Sequence, residues 1–199
     1  IKEEYKCKER PSDVPTEEKL GYVLHQDRTM RELDPRISST NARYDDVEVE
    51  RVVANSFGTL SRTTERWLAS SCSAWASSEG VVQRGHASSG SVGGYELMRG
   101  RDAQGIGIEA ARMAIRLLDS KPPPAGKFTC ILDNKMTGLL AHEAFGHACE
   151  ADGIIAGASV LEGKVGRKVA HSGVSLIDDP TVKNTFGYFS LDWEGVKSR

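Results

Sequence analysis

Apolar and polar residues alternate along residues 37–87, with Val47, Val49 and Val53 in one phase, then Trp67-Leu68, Trp75 and Val81-Val82. A period of two sends successive side chains to opposite faces, so this stretch predicts antiparallel strands. Asn55-Ser56-Phe57-Gly58 and Ser78-Glu79-Gly80 supply the turns. Arg62, Thr64, Arg66 and the serines of Ser70-Ser71-Cys72-Ser73 suggest that one face of the sheet is polar. Trp67 and Trp75 fall on the same side of one strand and should pack in the sheet. Residues before about Pro15 are polar and read as irregular. Thr16 is placed to cap a helix, with Glu17 and Glu18 suited to its positive end. That helix should end near Asp34, because Pro35 disfavours helical geometry in the residue before it.

Residues 88–94 are rich in Gly and Ser and read as a flexible connector. A 3.6-residue period then predicts an amphipathic helix over 102–119, with Ile106, Ala110, Met113 and Leu117 on one face and Glu109, Arg112, Arg116 and Asp119 on the other. Pro122-Pro123-Pro124 forms a stiff spacer, which divides the chain into the remainder of an N-terminal α+β domain (1–121) and the start of a second domain (125–199). The second domain should open with a strand at 128–132 and a helix over about 136–151. Further strands near 174–177 and 186–191 would be joined through the Asp179-Pro180 turn. The class is α+β: an antiparallel sheet with two main helices, then a second domain.

Charge and composition narrow the possibilities. Lys and Arg number 26 against 28 Asp and Glu in 199 residues, a net charge of −2. That balance lacks the basic excess of a protein that binds nucleic acid directly. No apolar run approaches the roughly 18 residues needed to span a bilayer. The opening Ile-Lys-Glu-Glu-Tyr-Lys has no apolar signal-peptide core. With no initiator Met and no evident tail, the chain reads as a fragment of a cytoplasmic protein. Cys7, Cys72, Cys130 and Cys149 form no CxxC pair and are expected to be reduced thiols.

The strongest chemical signal is His142-Glu143-Ala144-Phe145-Gly146-His147. A hydrolytic zinc site needs neutral imidazoles, an open position for water and a carboxylate to take that water's proton. His142 and His147 suit the ligand role, and Glu143 suits the base. The familiar spacing is His-Glu-x-x-His, whose histidines stand about 40° apart around a helix. Here the separation is five residues, or roughly 140°. Both rings can face one ion only if the helix widens into a π-turn, and Gly146 is a plausible place for it. The competing reading is two incidental histidines, one buried and one solvated. Glu150 fits a partner that orients a histidine, and Asp152 fits either that role or a cap of the next turn. Cys149 reads as a small buried hydrophobe rather than a ligand.

The run His142-Glu143-Ala144-Phe145-Gly146-His147-Ala148-Cys149-Glu150-Ala151-Asp152 resembles the HEAxGHxxEAD segment of the TldD/PmbA family, the "modulators of DNA gyrase". The match is to its TldD-type members, which carry the metal motif. The Arg101–Leu118 helix, the Pro spacer, Gly157 to Ser159, Gly163 to Gly166, Ile177-Asp178-Asp179 and Asp192-Trp193-Glu194-Gly195 match in kind. The resemblance is specific over 95–199 and looser before. It implies His142 and His147 as zinc ligands, Glu143 as the catalytic residue, and a third ligand from a cysteine late in the C-terminal domain, past Arg199. It also implies a peptidase acting on short or unfolded peptides, including peptide-antibiotic maturation, within a heterodimer with a TldE/PmbA-type partner. A non-catalytic peptide-binding or scaffold subunit is the alternative, and a gyrase-associated regulator rests on the historical name alone.

Weaker signals have plainer readings. Gly105-Ile106-Gly107-Ile108-Glu109-Ala110 fits GxGxxA but follows a loop rather than a strand, so it reads as ordinary helix. The Ser88–Gly94 loop lacks the Gly-Lys-Ser/Thr ending of a phosphate loop. His25, His86 and His171 are isolated.

Overall fold

The fold is known from a computed structural model of residues 1–199, which describes all of them apart from the side chain of Asp102. The chain forms two compact units, Ile1–Pro122 together with Asp179–Arg199, and Pro123–Asp178.

The first unit is an α+β layer. Strands β2 (Ile37–Ala54), β3 (Leu60–Ser78) and β4 (Val81–Val92) pair antiparallel, with β3 in the centre. The two turns lie where the sequence puts them, and Gly58 and Gly80 take positive φ there. A short strand β1 (Lys2–Glu4) runs parallel to β3 through Arg62–Thr64, in a stretch expected to be irregular. Its three charged residues give no hydrophobic period, and backbone pairing alone defines it. Residues 88–92 belong to β4 rather than to a loop. Gly90 is at home in that strand because a Cβ there would fall 2.1 Å from the Phe186 ring.

Helices α1 (Thr16–Leu33) and α2 (Arg101–Leu118) pack against the sheet and each other. Pro15, not Thr16, holds the cap position of α1, and its carbonyl accepts from the amides of Glu18 and Lys19. The even-numbered β3 residues Cys72, Ala74 and Ala76 meet Met30, Ile106, Ala110, Ala111 and Ala114 in one core, and Leu68 meets Val14, Tyr22, Tyr95, Met98 and Ala103 in a second. Small side chains bring α2 close. A Cβ on Gly85 would sit 2.0 Å from the Ala110 carbonyl oxygen. The closeness shifts the buried face of α2 toward Ala103, Ala111 and Ala114, so Leu117, expected to face inward, is 38% exposed. The Gly-x-Gly run sits in this plain helix, where Gly107 abuts Gln26 and Gly105 faces open space.

The polar residues of β3 divide between both faces. Arg66 and Ser70 lie on the helix side, where Arg66 is 2% exposed and bonds Glu4 and Glu48 at 2.8 and 2.6 Å. Thr63, Glu65, Trp67, Ser71 and Ser73 lie on the opposite side. Trp67 and Trp75 share that side, Trp67 against Phe186 and Trp75 under the Arg84 guanidinium. Residues 179–199 lie over one end of this face as an irregular strap instead of a strand at 186–191; Leu191 and Lys197 form an isolated bridge. All four cysteines are free thiols, and none of the helices is long and apolar enough to cross a membrane among the described residues.

The second unit carries short helices in a largely irregular chain. Residues 128–132 and 174–177 form no strands, having no neighbouring strand to pair with among the described residues.

Candidate metal centre

The metal motif begins at a helix start that hydrophobic periodicity does not reveal. Asp133 caps α3 (Asn134–Ala141), its carboxylate accepting the Met136 amide at 2.8 Å. The local signal is an Asp immediately before the helical run. From His142 to Gly146 the chain widens into a π-helical turn, closed by the His147 amide donating to the His142 carbonyl five residues back. This is the turn the five-residue spacing demands. A 3-10 turn follows at His147–Cys149. Glu150 then adopts extended geometry and a short helix α4 resumes at Ala151–Ile155, so the predicted helix over 136–151 is broken at Glu150.

Gly146 does not force the π-turn. Its backbone is ordinary right-handed helix, and a Cβ there would meet only the Ala141 carbonyl at 3.7 Å. The turn arises with the residues around it, not from glycine's freedom.

The π-turn brings the motif's side chains together. The His142 and His147 rings stand 4.5 Å apart, centroid to centroid, edge to face. Ligand atoms of His142, Glu143 and His147 all lie within 4.8 Å of one another, and all three residues are exposed. Glu143 Oε2 is 3.8 Å from His147 Nε2, too far for a hydrogen bond between them. On its other edge, His147 Nδ1 meets Glu150 Oε1 at 2.9 Å. That contact directs Nε2 toward Glu143 and His142. Two imidazoles and a carboxylate are a donor set that suits zinc.

Asp152 is not in the three-residue ligand cluster. Its carboxylate accepts the Gly153 amide at 2.7 Å in the first turn of α4. Cys149 is exposed rather than buried, and is not in the ligand cluster. The expected buried-hydrophobe role fails because the helix ends there. Ser159 ties the next loop back, donating to the Ala148 carbonyl at 2.5 Å and accepting the Leu161 amide at 3.1 Å. A hollow of about 300 Å³ opens beside His147, walled by the small residues Gly153, Ala158 and Ser159. His86 and His171 make their own local contacts, with Ser73 Oγ and the Gly173 amide.

Comparison with known proteins agrees in family and in fold. The PmbA/TldA metallopeptidase central domain matches residues 9–118, and the PmbA/TldA metallopeptidase C-terminal domain matches 125–199. A metalloprotease of Methanothermobacter thermautotrophicus is 42% identical over 188 residues, which is 94% of this chain and 41% of that protein. A metalloprotease TldD homolog of Haemophilus influenzae is 32% identical over 196 residues, 95% of this chain and 40% of that one. The chain thus spans about two fifths of the length of these curated relatives. A crystal structure from Bacteroides thetaiotaomicron, described as a modulator of DNA gyrase, superimposes with a TM-score of 0.81 at 22% identity. It covers 97% of this chain and 44% of its own, a likeness of fold alone. With both domains matched in order along the sequence, the chain belongs to the PmbA/TldD metallopeptidase family.

Proposed function

We propose that this chain carries the metal-binding part of a zinc-dependent peptidase, in which His142 and His147 hold the ion and Glu143 is the general base. The π-turn at His142–Gly146 is the observation that supports it, because it gathers three donor groups that a regular helix would spread around its circumference. Zinc held there would polarise the scissile carbonyl and acidify a water. Glu143 would take that water's proton and return it to the leaving amine. Glu150 would accept the Nδ1 proton of His147, fixing the tautomer whose Nε2 lone pair is free for the metal. Catalytic zinc normally has three protein ligands, and the third is assigned by resemblance to a cysteine later in the full-length protein. The hollow beside His147 gives a substrate backbone room to approach. The wider reading follows the family resemblance: short or unfolded peptides as substrates, a TldE/PmbA-type partner subunit, a cytoplasmic location, and no direct contact with nucleic acid or membrane. The resemblance also supports taking 1–121 and 125–199 as parts of two domains.

The test is Glu143→Gln in the full-length protein with its partner. Zinc content and peptide binding should persist while turnover falls by about 10² to 10⁴-fold, the range for loss of a general base. Undiminished turnover would remove Glu143 from the chemistry, whereas peptide binding without any turnover in the unmutated protein would favour the non-catalytic, peptide-holding role.

A further inference from the structure

On the sheet face opposite the helices, the strap of residues 179–199 encloses a cavity of about 310 Å³. Arg51, Glu65 and Trp67 line it from the sheet, and Phe186, Tyr188 and Trp193 from the strap. Arg51 and Glu65 form an ion pair at 3.2 Å, with side chains only 12% and 5% exposed. The Arg51 guanidinium lies 3.9 Å from the Trp193 ring centroid, and one of its NH groups donates to the Leu191 carbonyl.

The pair leaves polar atoms over. Glu65 Oε1, Arg51 Nε and Trp67 Nε1 are buried without a hydrogen-bond partner among the described residues. Buried polar groups are nearly always satisfied, and an unsatisfied one carries its full desolvation cost. All three belong to residues that wall this one aromatic cavity, which marks it as a ligand site rather than an ordinary apolar core. The leftover set is one acceptor and two donors around a charge-neutral ion pair. An ammonium ligand would compete with Arg51, and a carboxylate with Glu65. A neutral group that both donates and accepts, joined to an apolar body, fits each part.

We propose that this cavity is a second peptide-binding site, which takes one internal hydrophobic residue of a peptide. The side chain lies among Trp67, Phe186 and Tyr188. The backbone N–H donates to Glu65 Oε1, and the carbonyl accepts from both leftover donors, the Trp67 indole N–H and the Arg51 Nε–H. The strap makes few backbone bonds to the sheet, such as the Val92 amide to the Thr185 carbonyl at 3.4 Å, and is held mainly by side chains, including Arg51 to the Leu191 carbonyl and Asn55 to the Glu194 carbonyl. At 310 Å³ the volume stands at the small end of ligand sites and suits one residue. Binding here needs no metal and no cleavage, so it stands or falls separately from the peptidase reading.

The probe is N-acetyl-L-phenylalaninamide, titrated into full-length Glu143→Gln protein by calorimetry, with the Trp67 indole N–H followed by nitrogen-15 NMR. Saturable binding should move that resonance, while zwitterionic phenylalanine should bind at least tenfold more weakly. Trp67→Phe keeps an aromatic ring, smaller than the indole, and deletes the donor, so affinity for the amide should fall roughly fivefold to tenfold. Should Trp67→Phe misfold, the resonance shift in the parent protein decides the matter alone. An unmoved Trp67 resonance at the probe's solubility limit would overturn the proposal. Equal affinity for free phenylalanine, or undiminished binding by folded Trp67→Phe, would do the same.

Discussion

Gln26 is the polar group on which the helix layer turns. It is fully buried in α1 and reaches three backbone groups of α2. Its Nε2 donates to the carbonyls of Ala103 and Gln104 at 3.3 and 3.2 Å, and its Oε1 accepts the Gly107 amide at 2.9 Å. Gln26→Leu keeps the volume and removes all three. At about 0.5–1.5 kcal/mol net per bond, offset in part by about 1–2 kcal/mol from the apolar side chain, the loss should be about 1–2 kcal/mol. For a chain of this size that lowers Tm by about 2–8 °C. Leu24→Gln on the same helix, where the side chain is 52% exposed, should change stability by less than about 0.5 kcal/mol. Gln26→Glu adds a sign. Ionised, it cannot donate to the two carbonyls, so its folded pKa must lie above the unfolded value. Its penalty relative to wild type should therefore be smallest below about pH 4 and grow as pH rises through the unfolded carboxylate range. Scanning calorimetry at pH 7 and pH 4 reads both effects. If Gln26→Leu unfolds within 1 °C of wild type, the three bonds do not join the helices as described.

The ion pairs of the first unit set its acid limit. Hydrogen bonds from Arg66, Arg99, Arg31 and Arg36 hold the carboxyls of Glu4, Glu9, Asp27 and Asp34 below the usual range. Their contribution is present above the unfolded values near 4 and is lost as pH falls through the lower folded ones. Urea midpoints should be flat between pH 7 and 5 and drop below about pH 4; a drop already complete by pH 5 would contradict this. Burial pushes the Cys72 thiol up to about 11, so at pH 8 it should resist a thiol reagent until the protein unfolds, whereas Cys130 and Cys149 react at once. Rapid labelling of Cys72 in the native state would place it nearer the surface.

Strong periodicity was legible. The 37–87 alternation and the 102–119 helix stand as β2, β3, β4 and α2, because β3, β4 and α2 bury apolar faces against one another while β2 pairs along β3. Local pattern was silent where stability comes from elsewhere. Lys2-Glu3-Glu4 is a strand through pairing with β3 alone, and 88–92 extends β4 because Phe186 fills the space above Gly90. The apolar runs at 128–132 and 186–191 look like strands, yet the first has no neighbour to pair with, and the second spends its aromatics on the outer sheet face. At the candidate site, the π-turn followed from the spacing of His142 and His147 alone. The Glu150 contact was an expectation of chemistry, the Asp133 cap had a local signal in the Asp itself, and the break at Glu150 lies in backbone detail that residue type does not specify.

The central claim is that His142 and His147 act on one ion through the π-turn, and direct zinc binding by the full-length protein tests it. Competition with a chromophoric chelator should give one zinc per chain. His142→Ala and His147→Ala should each weaken binding by at least about 100-fold, and Glu150→Gln by about 10- to 100-fold through loss of the His147 orientation. The zinc absorption-edge fine structure should show two imidazole nitrogens at about 2.0–2.1 Å. Stoichiometric zinc of unchanged affinity in either alanine variant would mean that the two histidines do not share the metal.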